Sequence, residues 1–359
     1  MSMSKTKRSL VATVCLTLAT ACSHGAAPPA AQAPATPATA TAPPPALDVK
    51  IGRCAGVDKL AETKAAGFDY VELGTRNIVK LSDAELEAAL AKHKEVGLPT
   101  PVANVFLPNE MKVVGPSVDE AALLAYAKKA FDRMARFGVQ IIVFGSGGAR
   151  KVPEGFSKDE AFNQLVAFAK LIAPEAQARG ITMAVEPLQS RETNIINSAA
   201  EGLKWVKAVN HPNFQLMVDF YHLSLEKEDP AILETAKRHI KHLHIANPHL
   251  RRFPMSSDEF DYSVFFAKLK KTGYRGGLTI EGKTEKLDTE APRALEFLRK
   301  AVAEGVPPPS GPTPPATPPP RSPAPAAPAA KAPAPAAGKV PASAKTPAPM
   351  PEKIPKRGI

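Results

Sequence analysis

The chain predicts an α/β fold of the (β/α)8 barrel class, and three observations predict it. Strand-like and helix-like segments alternate eight times between residues 47 and 305. That stretch of 259 residues has the usual size of such a barrel. Four residues with chemistry to offer, Glu186, Asp219, His244 and Glu281, each close an apolar strand-like run. In a barrel of alternating strands and helices, the ends of the strands meet at one rim.

The strand candidates are 47–52, 68–73, 99–106, 139–145, 181–186, 214–219, 240–246 and 276–281. They are short, rich in Val, Ile, Leu and Phe, and bounded by Gly, Pro or Asn. Helices fill the intervals. Ser82-Asp-Ala-Glu85, Ser117-Val-Asp-Glu120 and Ser157-Lys-Asp-Glu160 carry the Ser-x-x-Glu pattern of a capped helix start. Gly97, Gly138, Gly180 and Gly273 stand where helix C-termini are expected. The last helix is expected from about Thr289 to Glu304. An open doubly wound sheet is the competing architecture. It would want a Gly-rich dinucleotide fingerprint after the first strand, and Gly52-Arg-Cys-Ala-Gly56 does not supply one. The Gly145-Ser-Gly-Gly148 loop also fails that spacing, because Arg150 stands at the last position. It reads either as a close approach to a ligand or as a plain turn.

The ends of the chain are of another kind. Lys5, Lys7 and Arg8 precede an apolar stretch from Ser9 to Ala21, too short to span a bilayer and typical of an export signal. The stretch ends Leu18-Ala-Thr-Ala-Cys22, which resembles the lipobox of bacterial lipoproteins. The resemblance implies cleavage before Cys22, lipid on its thiol and an anchor at a membrane surface. Ser23 after Cys22 resembles outer-membrane sorting in Gram-negative lipoproteins. An ordinary signal cleaved near Ala21 is the other reading. Residues 23–46 are dominated by Ala, Pro and Thr and read as an extended linker. Residues 306–359 are similar, with scattered Lys, and are expected to be a disordered tail.

The net charge of +11 is concentrated at these ends. The signal carries three positive charges and the tail a net six, which leaves the core at +2. A nearly neutral core argues against nucleic acid as a partner. Of the three cysteines, Cys15 leaves with the signal and Cys22 is the expected lipid site. Cys54 is then alone, so the mature core has no partner for an internal disulfide.

Strand periodicity supports the rim placement. Gln215, Met217 and Asp219 share a face, as do His242 and His244, and Thr279 and Glu281. Three carboxylates and one imidazole converging on one point stabilise a core poorly. They suit a divalent cation well. Oxygen-rich coordination with one imidazole favours Mn²⁺, Mg²⁺ or Co²⁺, with Zn²⁺ as a further option. Glu72 and Asn104 close two other strands and read as pocket-lining, solvated or capping residues. His242 reads as a buried residue packed one layer below His244, and Trp205 as a packing residue mid-helix.

The segments Glu186-Pro-Leu-Gln-Ser-Arg-Glu-Thr-Asn194, Met217-Val-Asp-Phe-Tyr-His222, His242-Leu-His-Ile-Ala-Asn-Pro-His-Leu-Arg251 and Thr279-Ile-Glu-Gly282 resemble the xylose isomerase-like sugar isomerase/epimerase superfamily of TIM barrels. By pattern they are most similar to ketose 3-epimerases and hydroxypyruvate isomerases. The resemblance implies that Glu186, Asp219, His244 and Glu281 hold the metal. It implies that Glu192, His222 and Arg251 contact oxygens of a sugar substrate, with Arg252 as the alternative to Arg251. Such relatives often associate, so an oligomer is open.

The expected chemistry is proton removal beside a carbonyl, leaving an enediolate that a Lewis-acidic cation stabilises. Glu186 and Glu281 are expected to act as base and acid on opposite faces of the sugar. Return of the proton to the same carbon gives an epimerase; return to its neighbour gives an isomerase. A dehydratase or lyase acting on a keto-inositol or keto-glycoside could use the same site. A non-catalytic sugar-binding envelope lipoprotein is the third alternative. A DNA-repair endonuclease of the same superfamily would want more histidines at strand ends and a basic face, which this core lacks.

Overall fold

A computed structural model describes residues 49–320. The signal with Cys22, the linker 23–46 and the tail from 321 onward lie outside the described residues. Eight strands form a closed, all-parallel barrel in chain order. They are β1 (Lys50–Cys54), β2 (Tyr70–Gly74), β3 (Val102–Asn104), β4 (Ile141–Phe144), β5 (Thr182–Val185), β6 (Phe214–Asp219), β7 (Ile240–Ile245) and β8 (Gly277–Ile280). Helices follow the strands and pack around them, so the chain is the TIM barrel expected from the eight alternations. Among the described residues no helix is long and apolar enough to cross a membrane.

Local chemistry explains the element boundaries. Ser82 makes a full capping box with Glu85 and starts helix Asp83–Val96. Ser157 accepts from the Glu160 amide and starts helix Lys158–Gln177. Ser117 does not cap its helix. Asp119 does, accepting from the Ala122 amide, and the helix runs Glu120–Ala135. The carboxylate two residues on takes the role because it reaches the exposed amide of the first turn. Gly97, Gly138, Gly180 and Gly273 all have positive φ at or just past helix ends, as the sequence suggested.

The outer core lies between sheet and helices. Trp205 is fully buried there, with Phe144 at 5.6 Å and Phe214 at 5.1 Å between ring centroids. Burial of such aromatic rings supplies much of the apolar stabilisation of a domain. The barrel interior is layered. Tyr70, Val102, Val143, Ala184 and Met217 form one apolar cluster inside the ring. Two residues further along five neighbouring strands, on the same face, stand Glu72, Asn104, Gly145, Glu186 and Asp219. An apolar floor therefore supports a polar layer at the C-terminal mouth.

The last helix, Leu287–Glu304, ends at the opposite side of the barrel, where Arg299 donates to the Gly67 carbonyl at 2.9 Å just before β2. Residues 306–320 then return toward the mouth. Ser310 reaches Asp258 at 3.3 Å, and Thr317 pairs with the loop after β7.

Candidate metal centre

β5 through β8 deliver the four expected donors to one place. One ligand atom from each of Glu186, Asp219, His244 and Glu281 lies within 4.8 Å of the others. Asp219 ends β6, and its Cα is level with that of His244 on β7. Glu186 and Glu281 stand one residue past β5 and β8, where their amides still bond to the Phe144 and Ile245 carbonyls at 3.2 and 3.1 Å. Glu186, Asp219 and His244 are buried, while the Glu281 side chain keeps 25% of its exposure at the mouth.

Each donor is oriented by neighbours. Asp219 also begins the short helix Phe220–Leu225: one carboxylate oxygen accepts from the Tyr221 amide at 2.9 Å, leaving the other for the centre. His244 contacts Glu72 through Nε2 at 2.9 Å, which turns Nδ1 toward Glu281 at 3.0 Å and Glu186 at 3.7 Å. Such a carboxylate behind an imidazole fixes its tautomer and makes it a better ligand. Glu72 is shared, since its other oxygen meets His242 Nε2 at 2.9 Å. His242 also meets Thr279 at 3.0 Å, and Thr279 meets the Tyr70 hydroxyl at 2.7 Å. His242 is thus a buried residue beneath His244, as expected. Glu72 is neither solvated nor a cap; it is the acceptor for both imidazoles.

The charges are poorly matched without a cation. Burial pushes the Asp219 carboxyl up to about 7 and raises that of Glu186. Burial acts the same way on Glu281, but the Arg251 guanidinium and His244 outweigh it and hold Glu281 below the usual range. For His244, burial opposes the charge, yet the carboxylates of Glu72 and Glu281 raise its pKa well above that of a free imidazole. Glu186 Oε1 and His222 Nε2 are buried with no hydrogen-bond partner. They lie 3.7 Å apart and face the gap among the donors. Orphaned buried polar atoms carry a desolvation cost that a bound cation or substrate oxygen would relieve. The donor set, its orientation and these orphaned atoms fit a divalent cation.

This arrangement makes metal affinity depend on pH. A cation takes the carboxylate forms of Glu186 and Asp219, so it must displace any protons they carry. Mn²⁺ affinity should therefore fall by about tenfold per pH unit below 7 for the Asp219 proton, and it should go on rising above that value, because a ligating His244 must also release the proton that Glu72 and Glu281 hold on it. Calorimetry across pH 5.5–8.5 in buffers of different ionisation enthalpy would measure both the slope and the proton release.

The residues tied to substrate by resemblance surround the same gap. His222 lies on the short helix after β6, and its Nδ1 accepts from the Gln189 amide at 3.2 Å. Burial and the nearby Arg251 hold His222 neutral, so Nε2 carries its proton toward Glu186 and Asp219, at 3.7 and 3.6 Å. Arg251 donates to Glu281 Oε2 and lies 3.4 Å from Asp219. Its guanidinium stacks on the Tyr221 ring at 4.5 Å. Glu192 stands at the outer edge, 3.6 Å from Arg251. Arg251, not Arg252, is the arginine that reaches the donors; Arg252 is held in backbone bridges to Asn247 and Lys283.

Some contributors were not evident from sequence. Arg150 is fully buried and donates to the Glu186 carbonyl at 2.5 Å, holding the start of the loop after β5. Gln189 reaches the Tyr221 hydroxyl at 3.2 Å and Glu192 at 2.9 Å. Cys54, at the end of β1, lies near Glu72 and His244. Burial and the Glu72 charge push its thiol up, so it stays protonated and is a poor metal ligand.

Gly145 resolves the reading of the loop after β4. A Cβ there would stand 2.3 Å from Glu186 Oε2, so this glycine exists to admit the carboxylate. Gly145→Ala should displace Glu186 and weaken Mn²⁺ binding by about 10-fold or more, with overpacking costing about 1–3 kcal/mol. Mn²⁺ calorimetry beside a thermal melt would separate the two effects.

Comparisons with known proteins agree with the barrel fold. A family model described as xylose isomerase-like TIM barrel matches residues 60–301. The L-ribulose 3-epimerase of Methylomonas sp. (strain DH-1) is 29% identical over 267 residues, covering 67% of this chain and 90% of that protein. The 3-dehydro-D-guloside 4-epimerase of Escherichia coli (strain K12) is 25% identical over 236 residues, covering 63% of this chain and 87% of that protein. Among solved structures, D-psicose 3-epimerase in the presence of D-fructose superposes with a TM-score of 0.63 at 21% identity. It covers 72% of this chain and 100% of its own, a likeness of fold.

Proposed function

The chain belongs to the xylose isomerase-like TIM barrel family, and from that premise we propose that it is a divalent-metal-dependent epimerase of free ketoses or keto-glycosides. The observation that carries the reading is the convergence of Glu186, Asp219, His244 and Glu281 at the barrel mouth. Both relatives' names put the inverted carbon beside a ketone: position 3 of a 2-ketose, and position 4 of a 3-dehydro sugar.

The residues divide the work. Glu186, Asp219, His244 and Glu281 would hold the cation. When bound, it supplies Lewis acidity that offsets negative charge on the sugar's carbonyl and neighbouring hydroxyl oxygens. Glu186 and Glu281 project from strands three apart around the ring, β5 and β8, so they face a bound sugar from different sides. One removes the proton next to the carbonyl, and the other returns a proton from the opposite side, which inverts that carbon. His222 Nε2–H and the Arg251 guanidinium point donors at the substrate oxygens. Glu192 lies at the outer edge to accept from a hydroxyl.

The test is a panel of free ketoses and keto-glycosides with Mn²⁺ in heavy water, followed by NMR. The expected result is deuterium at the carbon beside the carbonyl, together with the epimer. Bound Mn²⁺ with no exchange on any sugar would overturn the assignment, and loss of water or an alcohol would mark a lyase instead.

The export signal and Cys22 support a cell-envelope location for this activity, with the barrel held by a lipid anchor. In a bacterial host, Cys22→Ala should move the protein from the membrane to the soluble fraction; unchanged fractionation would remove the anchor.

A further inference from the structure

The loop that carries Arg251 is held from outside the barrel. Leu250 and Arg251 both have left-handed backbones, with φ of 65° and 52°. Neither is glycine, and a left-handed backbone at such residues is strained unless their surroundings fix it. The inner side of the loop is tied to the loop after β8: Lys283 donates to the Arg251 carbonyl at 2.7 Å, and Phe253 donates to Lys283 at 3.1 Å. The outer side is tied to Thr317, whose amide donates to the Pro248 carbonyl at 2.9 Å. Its carbonyl accepts from the Leu250 amide at 2.7 Å.

The segment that brings Thr317 there suits the task. Nine of the fifteen residues 306–320 are proline, so the segment is stiff and has few amides to donate. From Val306 to Thr317 it reaches roughly 35 Å at about 3.1 Å per residue, enough to climb from the far end of the last helix to the mouth. Thr317 keeps an amide between prolines, and Pro318 after it holds its backbone extended. A gap of about 200 Å³ remains between Pro314 and the loop residues His249, Arg252 and Phe253. The segment therefore holds the Arg251 loop at Thr317 rather than by continuous packing against it.

We propose that Thr317 is a positioning residue: through its backbone pair with Pro248 and Leu250, the proline-rich segment 306–320 straps the Arg251 loop over the candidate metal centre. The consequence for substrate rests on the reading above, in which Arg251 meets sugar oxygens. The strap acts through Arg251 and touches no reacting atom itself.

The test uses the full chain. Thr317→Pro removes the donated amide while keeping an extended backbone. Thr317→Ala keeps both backbone bonds and serves as the control. Amide exchange followed by mass spectrometry should speed up across 248–253 in Thr317→Pro and stay unchanged in Thr317→Ala. KM for the sugar should rise about 5–10-fold in the proline variant, with kcat changing less. Unchanged exchange in Thr317→Pro would overturn the strap. Faster exchange with unchanged KM would overturn its positioning role. A wild-type protein that turns over no sugar would instead sink the reading of the site. In that case Mn²⁺ titration decides, since freeing Arg251 from Glu281 and Asp219 should tighten Mn²⁺ binding, and an unchanged affinity would overturn the positioning role.

Discussion

Glu281→Gln and Glu186→Gln should each lower turnover by about 10²–10⁴-fold, the range over which a positioned acid or base acts, while the barrel stays folded. Glutamine keeps the shape and one oxygen but cannot trade a proton. Burial already disfavours charge on Glu186, so a neutral side chain of equal size costs the fold little there. Glu281 differs, because it forms ion pairs with Arg251 and His244, and some stability should go with it. Deuterium wash-in from heavy water is the sharpest readout, since it sees proton removal even when no product builds up. A Glu281→Gln protein that exchanges as fast as wild type would dispose of the two-carboxylate mechanism. Mn²⁺ calorimetry on each variant would show how much of the loss comes from weaker metal binding.

Glu72→Gln should be nearly as damaging, though Glu72 touches neither cation nor sugar in this reading. It lies fully buried and accepts from both His242 and His244. Burial raises the cost of its charge, but the two imidazoles outweigh that and hold the carboxyl well below its usual range. An amide offers one acceptor where two imidazoles need two. Its NH2 would confront one ring nitrogen that now has to accept, so the tautomer of His244 is no longer set. Metal affinity should drop about 10–100-fold, as when the group behind a ligating histidine is lost. Breaking a buried ion pair on one side also costs about 3–5 kcal/mol, so the metal-free protein should melt measurably earlier. If Glu72→Gln bound Mn²⁺ as tightly as wild type, the carboxylate behind His244 would have no part in orienting it.

The parts of the fold that sequence made legible are those governed by local pattern. The run Phe214–Asp219 is an unbroken strand, and it appears with the expected bounds. The span 99–106 shortens to Val102–Asn104, because Pro99 and Pro101 cannot donate to a ladder and Val105 turns left-handed. The four donors were legible because each follows directly on an apolar run, and parallel strands bring such ends together. What stayed hidden depends on closure. Glu72 meets His242 across 170 residues of chain, and no spacing rule links them before the ring exists. Arg150 and Gln189 act through loop conformations, which carry no periodicity to read. Thr317 sits in a composition that argues for an unstructured tail, and only the β7 loop gives it a partner.

The single tryptophan of the chain has a practical consequence. Trp205 is wholly shielded from solvent against β4 and β6, away from the carboxylates. Its intrinsic fluorescence should be blue-shifted in the native state and move to the red only when the wall of the barrel opens. Every substitution named above thus comes with a built-in optical gauge of integrity. A dead enzyme with native emission has lost its chemistry, whereas one with red emission has lost its architecture.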